Sequence, residues 1–310
     1  MTRFGDFETL CHRTPSYPWC NLFYRQLEHH APLALTGLSA DRSSAPVGVN
    51  PSCGTLRSGT HGSIGNVANI VACALSICVT GVLIWLCSRR KAAVGRIELR
   101  LFLIAYLLTL PLQLVTTGAF LTQGTGALAA LSAVHAGAVA ALFWALLGNA
   151  LIATQVVEDG TLAALVPFGF FSAAFFAATT YIALDVAFSW TSVFGPSSPP
   201  ASLHSIPLFV LTSIWPLVAA LGYFLIMGYI VLFVLRESRP MWFYVLAGIL
   251  FVLSQLDYFL LNKVICDGAS AKIDGSFIAT ILETAAVVTL FFAWKSITEE
   301  SWDDDIYYPR

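Results

Sequence analysis

Four ionisable side chains lie within or beside the longest apolar stretches of this chain: His135, Asp185, Asp257 and Glu283. A charge at the centre of a bilayer costs about 2.5 kcal/mol or more, so such residues usually face the interior of a helix bundle. Asp257 and Glu283 could carry protons or ions across a membrane. The alternative is that they make hydrogen bonds between helices, with the carboxyls protonated. Because no helix carries a clustered set, the pattern favours this alternative, and His135 is likewise expected to be a packed polar contact rather than a metal ligand.

A second group of carboxylates follows the last apolar stretch, in KSITEESWDDDIYYPR, and includes Asp303, Asp304 and Asp305. An Asp-x-Asp pair could bind a metal-bound nucleotide sugar, as in glycosyltransferases. No polar stretch of the chain is long enough to form a domain for such a substrate. We therefore expect a solvated acidic tail, and one hypothesis is that vesicle-coat adaptors bind its three consecutive aspartates.

Other catalytic patterns are missing from the sequence. It contains no Ser-His-Asp arrangement, phosphate-binding loop, metal-spaced set of Cys and His residues or dinucleotide fingerprint. We therefore expect no enzyme activity, with no catalytic residue, no cofactor and no metal ligand. The net charge of −2, without a basic or aromatic stripe, also argues against a nucleic-acid partner.

The elements that position these residues must be membrane helices. Hydrophobic residues make up 57% of the chain and charged residues 11%, and the mean hydropathy is +0.75, whereas soluble domains are about one quarter charged. Lipid must therefore be the solvent for most of the chain. Seven windows are long enough to cross a bilayer, and they lie roughly at 66–88, 100–121, 127–156, 161–184, 206–235, 241–264 and 275–294.

The sequence thus predicts an all-α membrane protein with three parts. Residues 1–65 form an N-terminal extension, residues 66–294 a bundle of seven transmembrane helices, and residues 295–310 the acidic tail. The extension is rich in Ser, Gly, Pro and His and has little apolar periodicity. We expect it to be an irregular segment pinned to the bundle, rather than a packed domain.

Basic residues set the expected orientation, because Lys and Arg are enriched in cytosolic loops. The first loop, SRRKAAVGRIELR, holds the densest basic cluster of the chain, and the second and fourth loops hold no Lys or Arg. This pattern places the first loop and the C-terminus in the cytosol and the N-terminus in the lumen. Lys263 and Lys272 in the sixth loop run against it, but Asp267 and Asp274 offset them.

Cysteine positions agree with this orientation. Cys11, Cys20, Cys53 and Cys266 all fall on segments predicted to be lumenal, where disulfides are stable. Four cysteines allow three pairings, and four free thiols are the remaining alternative. We expect Cys11 to pair with Cys20 around Pro15 and Pro18, and Cys53 to tie the extension to the last lumenal loop through Cys266.

The third span carries a stripe of small residues at every fourth position. Its members are Ala129, Ala133, Gly137, Ala141 and Ala145, followed by Asn149. Small residues at this spacing let two helices approach closely. The stripe is therefore either a docking face for the membrane helix of a partner or a packing face within the bundle, and the second is the simpler interpretation.

Short landmarks distributed along the chain resemble those of the fungal chitin synthase export chaperones. They comprise Phe4, Asp6, Phe7, Cys11, Thr14, Pro15, Pro18 and Cys20 in the extension; Gly95, Arg96 and Glu98 in the first loop; Glu158, Asp159, Gly160 and Thr161 in the third; Ile265, Cys266, Asp267, Gly268, Asp274 and Gly275 in the sixth; and Trp294, Ser296 and Ile297 at the end of the last span. They occur in the family's order over nearly the whole chain.

The resemblance implies a membrane chaperone rather than an enzyme. Such a protein resides in the endoplasmic reticulum membrane, binds a chitin synthase there, and enables it to fold and to leave for the cell surface, where chitin is built into the wall. The acidic tail would then be an export signal. Travel with the client to the plasma membrane is left open.

Two other functions share the predicted topology. A seven-helix receptor would have the same orientation, but its third and fifth loops would need a larger surface for a signalling partner. A proton-coupled transporter would use Asp257 and Glu283.

Overall fold

The computed structural model describes residues 3–40, 48–58, 64–91 and 93–298, and these residues are mainly helical. They include seven helices that are long and apolar enough to cross a membrane, as the sequence predicts. The extension contains two short helices, α1 (Glu8–Arg13) and α2 (Cys20–His30). The seven spanning helices are α3 (Val67–Arg89), α4 (Arg96–Thr117), α5 (Gly126–Ala153), α6 (Leu162–Phe188), α7 (Ile206–Val234), α8 (Arg239–Gly268) and α9 (Gly275–Ser296). Two short strands, β1 (Arg57–Ser58) and β2 (Ile64–Gly65), pair antiparallel just before α3.

The spanning helices pack around α5 and α9. Helix α5 packs against α4, α6 and α7, whereas α9 packs against α3 and α8. Among the spanning helices, α6 packs mainly on α5 and therefore lies at the edge of the bundle. Three segments of π-helix interrupt the regular turns of α7 and α8, at Val210–Ile214, Ile230–Val234 and Asp257–Leu261.

The extension is more ordered than the sequence predicts. Besides α1 and α2, it contributes a cluster of buried side chains, among them Phe7, Tyr17, Trp19 and Phe23, that continues into α5 and α6. The aromatic residues have no regular spacing, which is why periodicity did not reveal them. Because the cluster is completed by Ala residues of the spanning helices, the extension packs as a cap on the bundle. We call this end of the bundle the cap face and the other end the tail face.

Candidate functional site

The cap is held by two disulfides. Cys11 is bonded to Cys20, and Cys53 is bonded to Cys266, which is the pairing expected from the sequence. The first closes a hairpin between α1 and α2 by joining positions nine residues apart, and the second joins positions 213 residues apart. Together they fix the extension internally and to the C-terminal end of α8. The three remaining cysteines, Cys73, Cys78 and Cys87, are free and lie in α3.

Hydrogen bonds join the cap to each loop on its face. Arg25 donates to the carbonyl of Gly124 between α4 and α5 at 2.6 Å, and the amide of Phe7 donates to Leu203 between α6 and α7 at 3.0 Å. The amide of Leu56 donates to Ala271 between α8 and α9 at 3.0 Å. The extension therefore acts as a brace across the whole cap face.

Beneath the cap lies a cavity of about 200 Å³ in the centre of the bundle. Tyr17, Pro18 and Trp19, which lie between the two cysteines of the hairpin or next to them, line its upper end. Burial raises the pKa of the Tyr17 phenol, so this group is neutral at physiological pH. Most of the remaining wall is aromatic or aliphatic, from α4, α5, α7, α8 and α9.

The few polar groups in the cavity include two residues singled out from the sequence. Glu283 lines the wall and accepts a hydrogen bond from the Gln255 amide at 3.1 Å. His135 is buried, with Nδ1 3.3 Å from the Thr116 hydroxyl and its ring edge-to-face with Trp19. Each therefore takes part in contacts between helices, or between a helix and the cap.

A ladder of polar side chains continues from the cavity between α3, α4 and α9. Its upper rung joins Gln113, Thr280 and Asn69, through bonds of 2.8 and 2.9 Å. Its lower rung joins Tyr106, Thr284 and Ser76, through bonds of 2.8 and 2.7 Å. Hydrogen bonds of this kind fix the register of helices in lipid, where hydrophobicity does not distinguish helix from solvent. Sequence analysis missed this ladder because threonine and serine in an apolar span give no signal of their partners.

Gly137, in the middle of the small-residue stripe of α5, packs closely against α6 of the same chain. A Cβ atom at Gly137 would meet the Thr180 hydroxyl and would lie 2.7 Å from the Phe176 carbonyl oxygen. Ala133 is fully buried in the cluster below the cap, and Ala141 is partly buried. The stripe thus serves packing within the chain, and a partner's helix could reach Gly137 only if α6 moved away.

At the tail face, one set of contacts joins three segments that are far apart in sequence. The Asp159 carboxylate accepts from the Gly95 amide at 2.8 Å, and the buried Glu98 carboxylate accepts from the Gly160 amide at 2.7 Å. The Trp294 indole donates to the Val94 carbonyl at 2.9 Å. We call this set the tail-face clasp. Gly95 and Gly160 have φ of +68° and +69°, which glycine adopts without steric cost.

The two remaining acidic residues have different environments. Asp185, near the end of α6, is buried and accepts from the amide and hydroxyl of Thr191 at 2.7 and 2.5 Å, so it fixes the chain after the helix. Asp257 lies at the start of the π-helical segment of α8, close to the cap. Asp303, Asp304 and Asp305 lie outside the described residues.

Among the described residues, no three His, Cys, Asp or Glu side chains are placed to hold a metal. The comparisons with known proteins settle the family. A family model described as "Chitin synthase export chaperone" matches residues 3–307. The chain belongs to the chitin synthase export chaperone family. The residues that resemble the family's motifs lie at the two faces of the bundle, in the disulfide-bonded cap and in the tail-face clasp.

Individual relatives of the chitin synthase export chaperone family agree over the same range. The chain is 26% identical to a chitin synthase export chaperone of Coccidioides immitis, covering 96% of this chain and 83% of that protein. It is also 26% identical to those of Aspergillus oryzae, with the same shares covered, and Yarrowia lipolytica, where 96% of this chain and 85% of that protein are covered. No solved structure matches the chain.

Proposed function

We propose that this chain is a membrane chaperone that binds a chitin synthase in the endoplasmic reticulum and enables it to fold and to leave for the cell surface. The observation that carries the proposal is the family match over residues 3–307, because it covers all seven spanning helices and both faces. The names of the relatives indicate a role in export. The proposed outcome is the delivery of chitin synthase for cell-wall synthesis.

Recognition of the client would take place largely within the membrane. The described part of the chain has no separate soluble domain, since even the cap shares its buried cluster with α5 and α6. A synthase with several membrane helices exposes polar groups and poorly packed surfaces until its assembly is complete. If the helix bundle of this chain covered these surfaces, it would stabilise the incompletely assembled synthase. It would also prevent the exposed surfaces from causing retention of the synthase in the endoplasmic reticulum.

The outward face of α6 is the surface that we propose for this contact. Only 17% of its most apolar window is buried within the chain, against 56% for α9. Large side chains on it, Phe170 and Phe171 among them, are exposed. Since α6 covers the stripe at Gly137, the client's helices would pack on α6 rather than on α5.

The proposed orientation places the cap in the lumen. Both disulfides lie in the cap or join it to the bundle, and an oxidising lumen allows such bonds to persist. Arg89, Arg90 and Lys91 lie at the tail face, as expected for a cytosolic loop. The acidic tail would then be cytosolic, where vesicle-coat adaptors could bind Asp303, Asp304 and Asp305. Onward travel with the client to the plasma membrane is part of the same proposal.

Co-purification with photo-crosslinking tests the proposed contact. The chain would carry a photo-reactive amino acid at Phe170 on α6 or, as the control, at Leu75 on α3, since these side chains are 66% and 62% exposed. In membranes that contain one tagged chitin synthase, we expect co-purification in mild detergent and crosslinking from position 170 only. Absence of co-purification with every synthase would contradict the proposed function. Crosslinking from position 75 alone would contradict the assignment to α6.

The two alternatives from the sequence gain no support from the family match. For a proton-coupled transporter, Asp257→Asn would abolish the flux of a substrate. For a receptor, the protein would accumulate at the cell surface and signal in response to a ligand.

A further inference from the structure

Buried polar atoms without hydrogen-bond partners are concentrated where α8, α9 and the start of α3 meet the cap. Within the described residues, these atoms are Asp257 Oδ2, Asp274 Oδ2, Asn66 Oδ1, Ser16 Oγ and both amide atoms of Asn262. None of the five side chains is more than 7% exposed. An unsatisfied buried polar group costs about 1–3 kcal/mol, so such a concentration requires a further partner, either an ion or ordered water.

Direct contacts place three of these residues at one junction. The Asn66 amide donates to the Ser276 hydroxyl at 3.0 Å, and that hydroxyl donates to Asp274 Oδ1 at 2.5 Å. Ser16 and Asn66 both face the Asp274 carboxyl. The Tyr258 hydroxyl donates a hydrogen bond to the Ser16 carbonyl at 2.8 Å. This bond fixes the Ser16 segment of the cap against α8.

Helix α8 brings the other two residues to the same place. A Cβ atom at Gly275, the residue after Asp274, would lie 2.8 Å from the Asp257 carbonyl oxygen and 3.2 Å from Asn262 Cβ. Only a glycine therefore lets α9 begin this close to α8. Asp257 and Asn262 bracket the π-helical segment Asp257–Leu261, and single π-turns inside α-helices are often found at functional sites.

The junction holds two carboxylates and lacks a counter-charge. Asp257 and Asp274 are close enough to interact electrostatically, and no Lys or Arg of the described chain forms an ion pair with either. Lys263 and Lys272, the basic residues of this loop, are exposed. A cation would allow both carboxylates to remain charged.

We propose that this junction is a binding site for a single calcium ion. Its donors are carboxylate, amide and hydroxyl oxygens, which suit hard cations rather than zinc or copper. Two carboxylates match a divalent charge. Irregular donors drawn from four segments fit calcium, which accepts six to eight oxygens in variable geometry, better than magnesium, which requires a regular octahedron. By joining the cap to α3, α8 and α9, the ion would stabilise the cap on the bundle.

Calcium binding can be measured on the full-length protein in mild detergent. After treatment with a chelator, the protein is titrated with radioactive calcium by equilibrium dialysis, and its thermal unfolding is followed in parallel. We expect saturable binding of about one ion per chain, and a rise in Tm of about 5 °C at saturation. Asp257→Asn with Asp274→Asn should abolish both effects. Asp267→Asn, which removes an exposed carboxylate of the same loop, should change neither.

Folding of the double variant must be shown separately, by a single peak in size-exclusion chromatography and intact disulfides on a non-reducing gel. If that variant does not fold, Asn262→Ala is used instead, and we expect it to weaken calcium binding at least tenfold. Absence of saturable calcium binding to the unmodified protein would overturn the proposal. So would equal binding by a folded double variant, or stabilisation by magnesium or sodium but not by calcium.

Discussion

Glu98 shows how one buried side chain can hold the tail-face clasp together. Its carboxylate accepts from the Gly160 amide, and its own carbonyl accepts from the Asn149 side chain at 3.2 Å. It is 1% exposed in the first turn of α4, although its sequence segment is polar and would be expected to face solvent. Neighbouring Glu158 is exposed and belongs to the same set of landmarks. The two glutamates are indistinguishable in sequence but differ in what they contact.

Glu98→Ala should therefore destabilise the protein, whereas Glu158→Ala should not. Removal of the Glu98 carboxylate leaves the Gly160 amide without its acceptor, at a cost of about 1–3 kcal/mol. We expect a Tm several degrees lower for Glu98→Ala in detergent, and a Tm within about one degree of the parent for Glu158→Ala. Equal Tm values for the two variants would show that the Glu98 bond of the clasp contributes nothing to stability.

At the scale of elements, the pairing of α5 with α6 depends on the absence of a side chain at Gly137. A Cβ atom there would collide with the backbone of α6, whereas a Cβ atom at Gly169, on α6 itself, would meet nothing within 4 Å. These two glycines form a matched pair for testing close helix packing in this bundle.

We expect Gly137→Ala to separate α5 from α6 and to destabilise the protein by about 1–3 kcal/mol, as overpacking does. Gly169→Ala should be neutral or slightly stabilising, since alanine is the better helix former. Thermal unfolding of both variants in the same detergent checks the prediction. A more stable Gly137→Ala protein would mean that α6 does not pack closely on α5.

The long-range disulfide is the second device at this scale. Cys53→Ser with Cys266→Ser frees the extension from α8, and we expect a loss of about 2–5 kcal/mol, as for other structural disulfides. Cys78→Ser, at an exposed free cysteine, is the control and should change neither the Tm nor the gel mobility. Mobility on a non-reducing gel, together with Tm, reports the result. Unchanged mobility of the double variant would show that the bond does not form.

The elements themselves were largely predictable, and their contacts were not. The seven spans follow from apolar length, because lipid requires about 20 such residues per helix. The order of the cap escaped prediction because Phe7, Tyr17 and Trp19 pack from irregular segments without a period. Asp274 was expected to offset exposed lysines, yet it is fully buried. Which polar residues meet depends on packing between distant segments, and local patterns of residue type along the sequence do not reveal that packing.

At the scale of the whole molecule, the chain is a bundle closed at both faces. The disulfide-bonded cap braces one end, the tail-face clasp joins the segments of the other, and hydrogen bonds occupy many of the polar side chains between them. The family landmarks concentrate at the two faces, and large apolar side chains cover the outer surface of the edge helix α6. Such a molecule is suited to stay folded in the membrane while it binds the client that we propose.

Live imaging of each tagged chitin synthase, in cells with and without this gene, tests the central claim most directly. The account predicts that at least one synthase accumulates in the endoplasmic reticulum without the gene and reaches the surface when the gene is restored. The Cys78→Ser variant should restore export as the parent does. If every synthase still reaches the surface in the absence of this protein, the export function proposed here is contradicted.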